Sequence, residues 1–145
     1  MKYKRKLMKA VLSLLLMVLL GACNKNIEPK ELIGKWDNTY EIRTKDEAGE
    51  WTEWTTINTL VALPQLEFTE KGKILWDGKP SEACCTFTEF EVEGETITLS
   101  VPPITTGCEL VNCALCDTWT IVKLTNKQLE LNICDNSMLR YNKAN

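Results

Sequence analysis

The sequence predicts an all-β protein built as a single antiparallel up-and-down β-barrel of eight or nine strands. Apolar and polar residues alternate along most of the chain after Leu32, with the period of two that is typical of half-buried strands. Gly or Asn separates the alternating segments, at Gly72, Gly94 and Asn126, and these residues favour tight turns. No segment of this region has a convincing helical periodicity.

Each strand follows from a particular stretch. In GKWDNTYEIRTK, Trp36, Tyr40 and Ile42 share one face. In LEFTEKGKILW, alternating apolar residues precede and follow a turn at Gly72, and both FTEFEVEGETITLSV and WTIVKLTNKQLELNI have the same form. A last short run, SMLRYN, follows a turn at 135–136. We predict strands over residues 35–44, 51–61, 65–70, 73–77, 85–93, 95–101, 117–125, 128–134 and 137–142.

A meander of this kind has one apolar face to bury. Closing the sheet on itself buries that face and also removes the exposed strand edges. The pattern therefore favours a barrel, with a two-sheet β-sandwich as the alternative that alternation leaves open.

The N-terminus has the pattern of an export signal. Residues 1–9 carry five basic residues and no acidic one, and residues 10–20 are apolar except for Ser13. A membrane span needs about 18–20 apolar residues, so this run is too short to cross a bilayer. LGAC at 20–23 resembles the lipobox of bacterial lipoproteins, in which cleavage before the cysteine leaves it acylated. We therefore predict a lipoprotein signal peptide over 1–22, a lipidated Cys23 with a flexible tether over 23–31, and a barrel domain over 32–145.

Lipidation implies an address in the cell envelope. Two acyl chains suffice for stable membrane attachment. Asn24 follows Cys23, where an Asp would retain some such lipoproteins at the inner membrane, so we expect anchoring in the outer membrane, facing the periplasm or the surface. The chain has 17 Lys and Arg and 20 Asp and Glu; loss of the five basic signal residues leaves 12 and a net charge of −8. That charge disfavours nucleic acid as a partner.

Six cysteines remain in the barrel domain. An even number of cysteines in a small exported domain predicts three disulfides. A thiolate metal site and a redox Cys-x-x-Cys pair are the alternatives, but the sequence contains no His to complete a zinc site. No helical pattern follows the CALC stretch to lower a thiol pKa. We predict no metal and no cofactor, and assign the disulfides to Cys84, Cys85, Cys108, Cys113, Cys116 and Cys134.

The strand order predicts that these cysteines lie close together. They fall in the connections between predicted strands four and five, six and seven, and eight and nine, and alternate connections of an up-and-down barrel share one end. Bridged cysteines need Cα atoms within about 7 Å, which such gathering provides. The neighbouring Cys84 and Cys85 are expected to pair with two different partners.

A family resemblance adds to this interpretation. LIGKWD at 32–37 resembles the Gly-x-Trp motif that opens lipocalin and lipocalin-like domains, and WTIVKLTNKQLEL at 119–131 resembles the late hairpin of lipocalin-like domains in bacterial lipoproteins. The resemblance implies that Arg140 lies across Trp36 by a cation–π contact. It also implies that the end where the first strand begins is closed. By the predicted strand order the cysteines share that end, and only the loop 45–50 covers the open mouth.

Binding is the function that the resemblance implies. A small barrel has room to be packed solid or to hold one modest apolar ligand. The candidate ligand-binding residues are the inward aromatic ones, Trp36, Tyr40, Phe68, Trp76 and Phe90. We expect no enzymatic activity, because a chain without His cannot form a Ser–His or Cys–His pair. The alternative function is an envelope accessory module with a solid core that binds a protein partner through its outer surface. Trp51 and Trp54, predicted on opposite faces of the second strand, provide one exposed anchor for that alternative.

Overall fold

The computed structural model describes residues 28–101, 107–108, 111 and 116–145. Within them, a 3-10 helix at Lys30–Leu32 precedes nine strands. The strands are β1 Gly34–Thr44, β2 Thr55–Thr56, β3 Leu66–Phe68, β4 Ile74–Trp76, β5 Glu89–Glu93, β6 Thr96–Ser100, β7 Thr118–Leu124, β8 Gln128–Ile133 and β9 Ser137–Lys143. Seven of them match the predicted bounds to within two residues, whereas β2 and β5 are shorter than expected. None of the helices in these ranges has the length and apolar character to traverse a bilayer.

The strands form one antiparallel sheet that closes almost completely. Neighbouring strands follow the order β4-β3-β1-β9-β8-β7-β6-β5, and β2 also pairs with β1. The two outer strands of this order meet through the amide of Ile74, which donates to Thr88 O, and the amide of Phe90, which donates to Gly72 O, both at 2.9 Å. The predicted barrel is therefore confirmed, and the two-sheet alternative is wrong.

The second predicted strand, 51–61, is the main departure from expectation. Only Thr55 and Thr56 of that range form a strand, and they pair with Ile42 and Glu41 of β1. Further along the same side of β1, Trp36 pairs with Leu66 of β3. Both short strands run antiparallel to β1, so together they fill one position of an eight-position barrel.

This interruption reverses the predicted end for the cysteines. Because β2 and β3 run in the same direction, every later strand runs opposite to the direction that nine alternating strands would give it. The C-terminal ends of β4, β6 and β8, from which the cysteine-bearing connections leave, lie at the end of the barrel where β1 finishes. The expectation that the cysteines share the end where β1 begins is wrong.

A bulge in β1 explains the position of Tyr40. Asn38 pairs with Tyr141 and Ile42 pairs with Leu139, so β1 has two more residues than β9 between these pairs. Tyr40 occupies the left-handed region with φ 62°, and its amide donates to Asn38 Oδ1 at 2.6 Å. Because the bulge adds an even number of residues, Ile42 remains on the same inward face as Trp36.

The inward side chains form a packed core that fills the half of the barrel where β1 begins and extends to Phe87 and Trp119 at the other end. Phe68 and Phe90 meet edge to face with ring centroids 4.9 Å apart. Burial raises the pKa of Tyr141 to about 12, against the opposing effect of its hydrogen bond with Asn38, as expected in a dry interior. The buried apolar cluster consists of Leu32, Trp36, Leu66, Phe68, Ile74, Phe87, Phe90, Ile97, Leu99, Trp119, Ile121, Leu129, Leu131 and Tyr141.

The end where β1 begins is closed by the 3-10 helix and Trp36. The helix residue Leu32 and Trp36 are both fully buried, and Trp36 Nε1 donates to Leu32 O at 2.8 Å. Lys143 Nζ donates to Glu31 O at 3.0 Å and to Ile33 O at 2.6 Å, and it lies 4.1 Å from the Trp36 ring centroid. Gly34 has φ 123°, and a Cβ there would lie 2.9 Å from Lys143 Nζ. The positive φ of Gly34, which strains other residues, and the buried Trp36 both belong to this closure.

Replacing Trp36 should therefore weaken the whole fold. We expect Trp36→Ala to lower the free energy of unfolding by about 3–5 kcal/mol, because it leaves a large cavity and removes the hydrogen bond to Leu32. Urea denaturation followed by far-UV circular dichroism measures the change. Trp51→Ala, which removes the same side chain from outside the core cluster, is the matched control and should cost clearly less. A loss for Trp36→Ala within about 0.5 kcal/mol, the range of surface substitutions, would contradict its role in closing the barrel.

Candidate functional site

The candidate site is the end of the barrel where β1 finishes, opposite the 3-10 helix. In five strands the inward side chain is buried near the closed end and becomes exposed towards this one. On β6, Ile97 is 0% exposed and Leu99 3%, whereas Val101 just beyond the strand is 42% exposed. On β8, Leu129 and Leu131 are fully buried, but Ile133 is only partly buried.

The same gradient occurs on β1, β9 and β4, which each carry a partly buried apolar residue nearer this end. The strand β7 differs, because Trp119, which pairs with Ile133 at this end, is only 7% exposed. Ile42 and Leu139 face each other across the β1–β9 pair. Trp76 of β4 pairs with Leu66 of β3, and its Nε1 donates to Phe87 O at 3.3 Å. We call these inward residues the apolar cup: Ile42, Trp76, Ile133 and Leu139.

The aromatic residues predicted to bind a ligand do not all lie in the cup. Trp36, Phe68 and Phe90 are 0–3% exposed and belong to the packed core beneath it. Trp76 lies in the cup wall. Tyr40 lies on the β1 bulge, where its hydroxyl accepts a hydrogen bond from the Leu63 amide at 3.1 Å. Ile133 and Leu139 were missed as candidates, although strict alternation along β8 and β9 was enough to place them on the inward face.

Disulfides connect the segments around the cup. Cys84, between β4 and β5, bonds Cys108 of the β6–β7 connection, with Cα atoms 5.7 Å apart. Cys116, just before β7, bonds Cys134 at the β8–β9 turn, with Cα atoms 5.5 Å apart. Cys85 is also disulfide-bonded, whereas Cys113 lies outside the described residues, as does Cys23. The expected gathering of the cysteines at one end is confirmed for the described ones, as is the separate pairing of Cys84 and Cys85.

In the ranges that the structure describes, no group of three or more Cys, Asp or Glu side chains is placed to hold a metal ion.

The outer face of β1 and β9 carries a second group of interacting side chains. Arg43 lies 5.4 Å from the Trp51 ring centroid and 5.0 Å from that of Trp54, and Arg140 lies 4.0 Å from Trp54. We call these four residues the tryptophan–arginine cluster. Two predictions are therefore wrong. Arg140 contacts Trp54 and not Trp36, which Lys143 covers instead. Trp51 and Trp54 do not lie on opposite faces of a strand, because neither belongs to a strand and both contact Arg43.

Arg140 has hydrogen-bond partners on both strands that neighbour β9. Its Nε donates to Glu130 and one terminal nitrogen to Glu41, both at 3.0 Å. Burial lowers the pKa of Arg140, but the hydrogen bonds with Glu41 and Glu130 outweigh that effect and raise it. Glu130 is only 8% exposed although it points away from the core.

Comparison with known proteins gives fold neighbours and no family. No protein-family model and no curated protein matches the sequence. Among solved structures, the chain is similar to a lipocalin-like protein from Bacteroides uniformis, with 18% identity, a TM-score of 0.45, and coverage of 79% of this chain and 99% of that one. It is also similar to an uncharacterized protein from Bacteroides eggerthii, with 19% identity, a TM-score of 0.49, and coverage of 78% and 99%. The barrel assignment itself rests on the strand pairing described above.

The disulfides should contribute to stability independently of the packed core. We expect removal of the Cys116–Cys134 bond by the double substitution Cys116→Ser and Cys134→Ser to lower the free energy of unfolding by about 3 kcal/mol. The Cys84–Cys108 bond closes a loop of similar length, so its removal by Cys84→Ser with Cys108→Ser should cost a similar amount. Urea denaturation measures both changes, and thiol titration of unreduced, denatured wild-type protein should find no free thiol. Stoichiometric zinc or iron, together with reactive thiols, would refute the disulfide assignment.

Proposed function

We propose that the protein is a lipid-anchored binding protein that holds a small apolar ligand in the apolar cup. The observation that carries this proposal is the exposure gradient along the inward faces of the strands. Apolar side chains that line the inside of a barrel and yet remain open to water lose that exposure when an apolar ligand covers them, which favours binding. Binding rather than catalysis is the activity that such a lining supports.

The packed half of the barrel limits the size of the ligand. Trp36, Phe68 and Phe90 fill the interior beneath the cup, so a ligand reaches only the upper part of the barrel. Phe87, which meets Trp119 edge to face at 6.0 Å, covers part of the same end. The cup therefore suits a modest apolar molecule or one end of a longer chain, with Trp76 as the largest surface available for contact.

The lipid anchor is consistent with a cup that faces away from the membrane. The described chain enters the barrel at Glu28, at the closed end, five residues after Cys23. Five extended residues span at most about 17 Å. An acyl group on Cys23 would hold the closed end near the outer membrane and leave the cup open on the far side.

Ligand binding is tested on residues 24–145, which contain the whole barrel without signal or anchor. We expect the tryptophan emission to respond to a fluorescent fatty acid, and Leu139→Trp, which fills the cup, to weaken the affinity at least tenfold, or by about 1.4 kcal/mol. Val122→Trp adds the same side chain at a position 45% exposed on β7 and should leave the affinity unchanged. Native mass spectrometry of freshly purified protein should show a bound lipophile. Absence of binding by both methods would contradict the proposal and favour the outer surface as the functional part.

The anchor is tested separately in the full chain. We expect Cys23→Ser to abolish acylation and leave uncleaved precursor, because the acyl acceptor is lost. Mass spectrometry of the envelope fraction measures both, and Cys85→Ser is a control that removes another cysteine without affecting acylation. If the Cys23→Ser protein still enters the detergent phase in its mature form, the lipoprotein assignment is wrong, whatever the result at the cup.

A further inference from the structure

The tryptophan–arginine cluster contains two arginines in similar surroundings with different partners. Both stack against Trp54, and both are partly buried. Arg140 has two carboxylates, from Glu41 and Glu130. Arg43 has none: within the described ranges, no carboxylate comes within ion-pair distance of it. Glu50 and Glu53, beside the two tryptophans in sequence, do not pair with Arg43 either.

The hydrogen-bonding capacity of Arg43 is therefore largely unused by the protein. Its Nε donates to Met138 Sδ at 3.1 Å, and a thioether sulfur is a weak acceptor. The four N–H groups on its terminal nitrogens have no acceptor among the described residues. A guanidinium held between two indole rings has lost part of its water, so an unpaired one gains more from an anion than a fully solvated arginine would.

The surroundings add a second positive charge and a fixed geometry. Lys45 Nζ lies 5.2 Å from the Trp51 ring centroid, on the same hairpin as Arg43, and forms no ion pair within the described ranges. The cation–π contacts with Trp51 and Trp54 hold the Arg43 guanidinium in place before any ligand arrives. The planar fork of a guanidinium matches the two oxygens of a carboxylate.

We propose that Arg43, held between Trp51 and Trp54 and assisted by Lys45, binds a carboxylate group of an external ligand on the outer face of the barrel. Such a carboxylate would accept hydrogen bonds from Arg43, as Glu41 and Glu130 do from Arg140. The group belongs either to a small organic acid or to the C-terminus of a peptide, which share this chemistry. The site lies on the opposite face of the sheet from the apolar cup and does not depend on the cup being occupied.

The probes are benzoate, its neutral counterpart benzamide, and a dipeptide ending in phenylalanine with a free or an amidated C-terminus. We expect benzoate to change the tryptophan emission of residues 24–145 saturably in the millimolar range, and benzamide not to do so. Binding should weaken with added salt, because the site is partly open to water. Binding of the free but not the amidated dipeptide identifies a peptide terminus as a source, and binding of benzoate alone identifies a small acid. Equal binding of benzoate and benzamide, or no saturable response to any probe, overturns the proposal.

Variants separate a binding role for Arg43 from a structural one. Arg43→Gln should weaken benzoate binding at least about tenfold, whereas Arg43→Lys, which keeps the charge but loses the fork, should retain part of it. Lys123→Gln removes a positive charge from β7 on the same outer face and should change the affinity less than about twofold. Leu139→Trp, which fills the cup, should also leave benzoate binding intact, so failure at the cup and failure here are distinguishable.

A measurement on the wild-type protein tests the proposal even if a variant fails to fold. Arginine side-chain ¹⁵N–¹H resonances, assigned with the Arg43→Lys spectrum, should show the Arg43 signals moving on addition of benzoate while those of Arg140 remain in place. Movement of the Arg140 signals alone, or of neither set, overturns the proposal.

Discussion

The barrel depends on the pairing of β1 with strands on both of its sides. On one side it pairs with β9 along most of its length, and on the other it pairs first with β3 and then with β2. No single strand covers that second side, because the chain leaves the sheet between Thr56 and Leu66. The direction of every later strand follows from this one interruption. The position of the cysteine-bearing connections, at the same end as the cup, follows from it in turn.

Two different kinds of interaction hold the two ends of the barrel. At the closed end, apolar burial dominates, and Lys143 ties β9 to the 3-10 helix through two backbone carbonyls. At the open end the inward side chains are only partly buried, so they contribute less per residue to folding. The disulfides compensate there: each restricts the unfolded chain without adding side chains to the interior. Where covalent bonds between the connections stabilise an end of the barrel, the apolar lining there can remain open. Where packing stabilises the end, side chains have to fill the interior.

The sequence predicts most of the strands because their alternation is local. The hairpins around Gly72 and Gly94 need only neighbouring residues to form, and the inward face of each follows from its apolar positions. The contact of Trp54 could not be predicted in the same way, because it depends on where the chain leaves the sheet after β1. The partner of Trp36, by contrast, follows from alternation along β9: Lys143 shares the inward face with Leu139 and Tyr141, whereas Arg140 lies on the outer face. The expectation that Arg140 covers Trp36 failed because it came from the family resemblance and not from the strand pattern.

The candidate site was predictable to the same extent and for the same reason. Alternation predicts whether an aromatic side chain faces the barrel interior, but it does not predict the position of that side chain along the barrel axis. Phe68 has the same pattern as Trp76, yet it lies one inward position nearer the closed end, because Phe68 pairs with Ile74 while Trp76 pairs with Leu66. The cysteines were more informative, since a requirement for pairing constrains position along the barrel axis. They correctly predicted that the cysteines share one end of the barrel. Because the break between β2 and β3 was not recognised, that end was predicted to be the one where β1 begins.

The segment 51–54 shows what a sheet gains when a strand is interrupted. Because Trp51 and Trp54 are not committed to alternate faces of a strand, both can turn onto the outer surface of β1 and β9. There they contact Arg43 and Arg140, whose side chains bond Met138 and Glu130, respectively. Met138 and Glu130 are only 5% and 8% exposed on this outer face. Burying Glu130 is tolerable only with a cation beside it, and Arg140 fills that role. Arg43, stacked on the same ring, takes no carboxylate from the described residues, so the outer face keeps one organised positive group on a chain whose overall charge is negative. The inner and outer faces of β1 therefore differ in the groups they present: an apolar side chain inside at Ile42, and a guanidinium outside at Arg43.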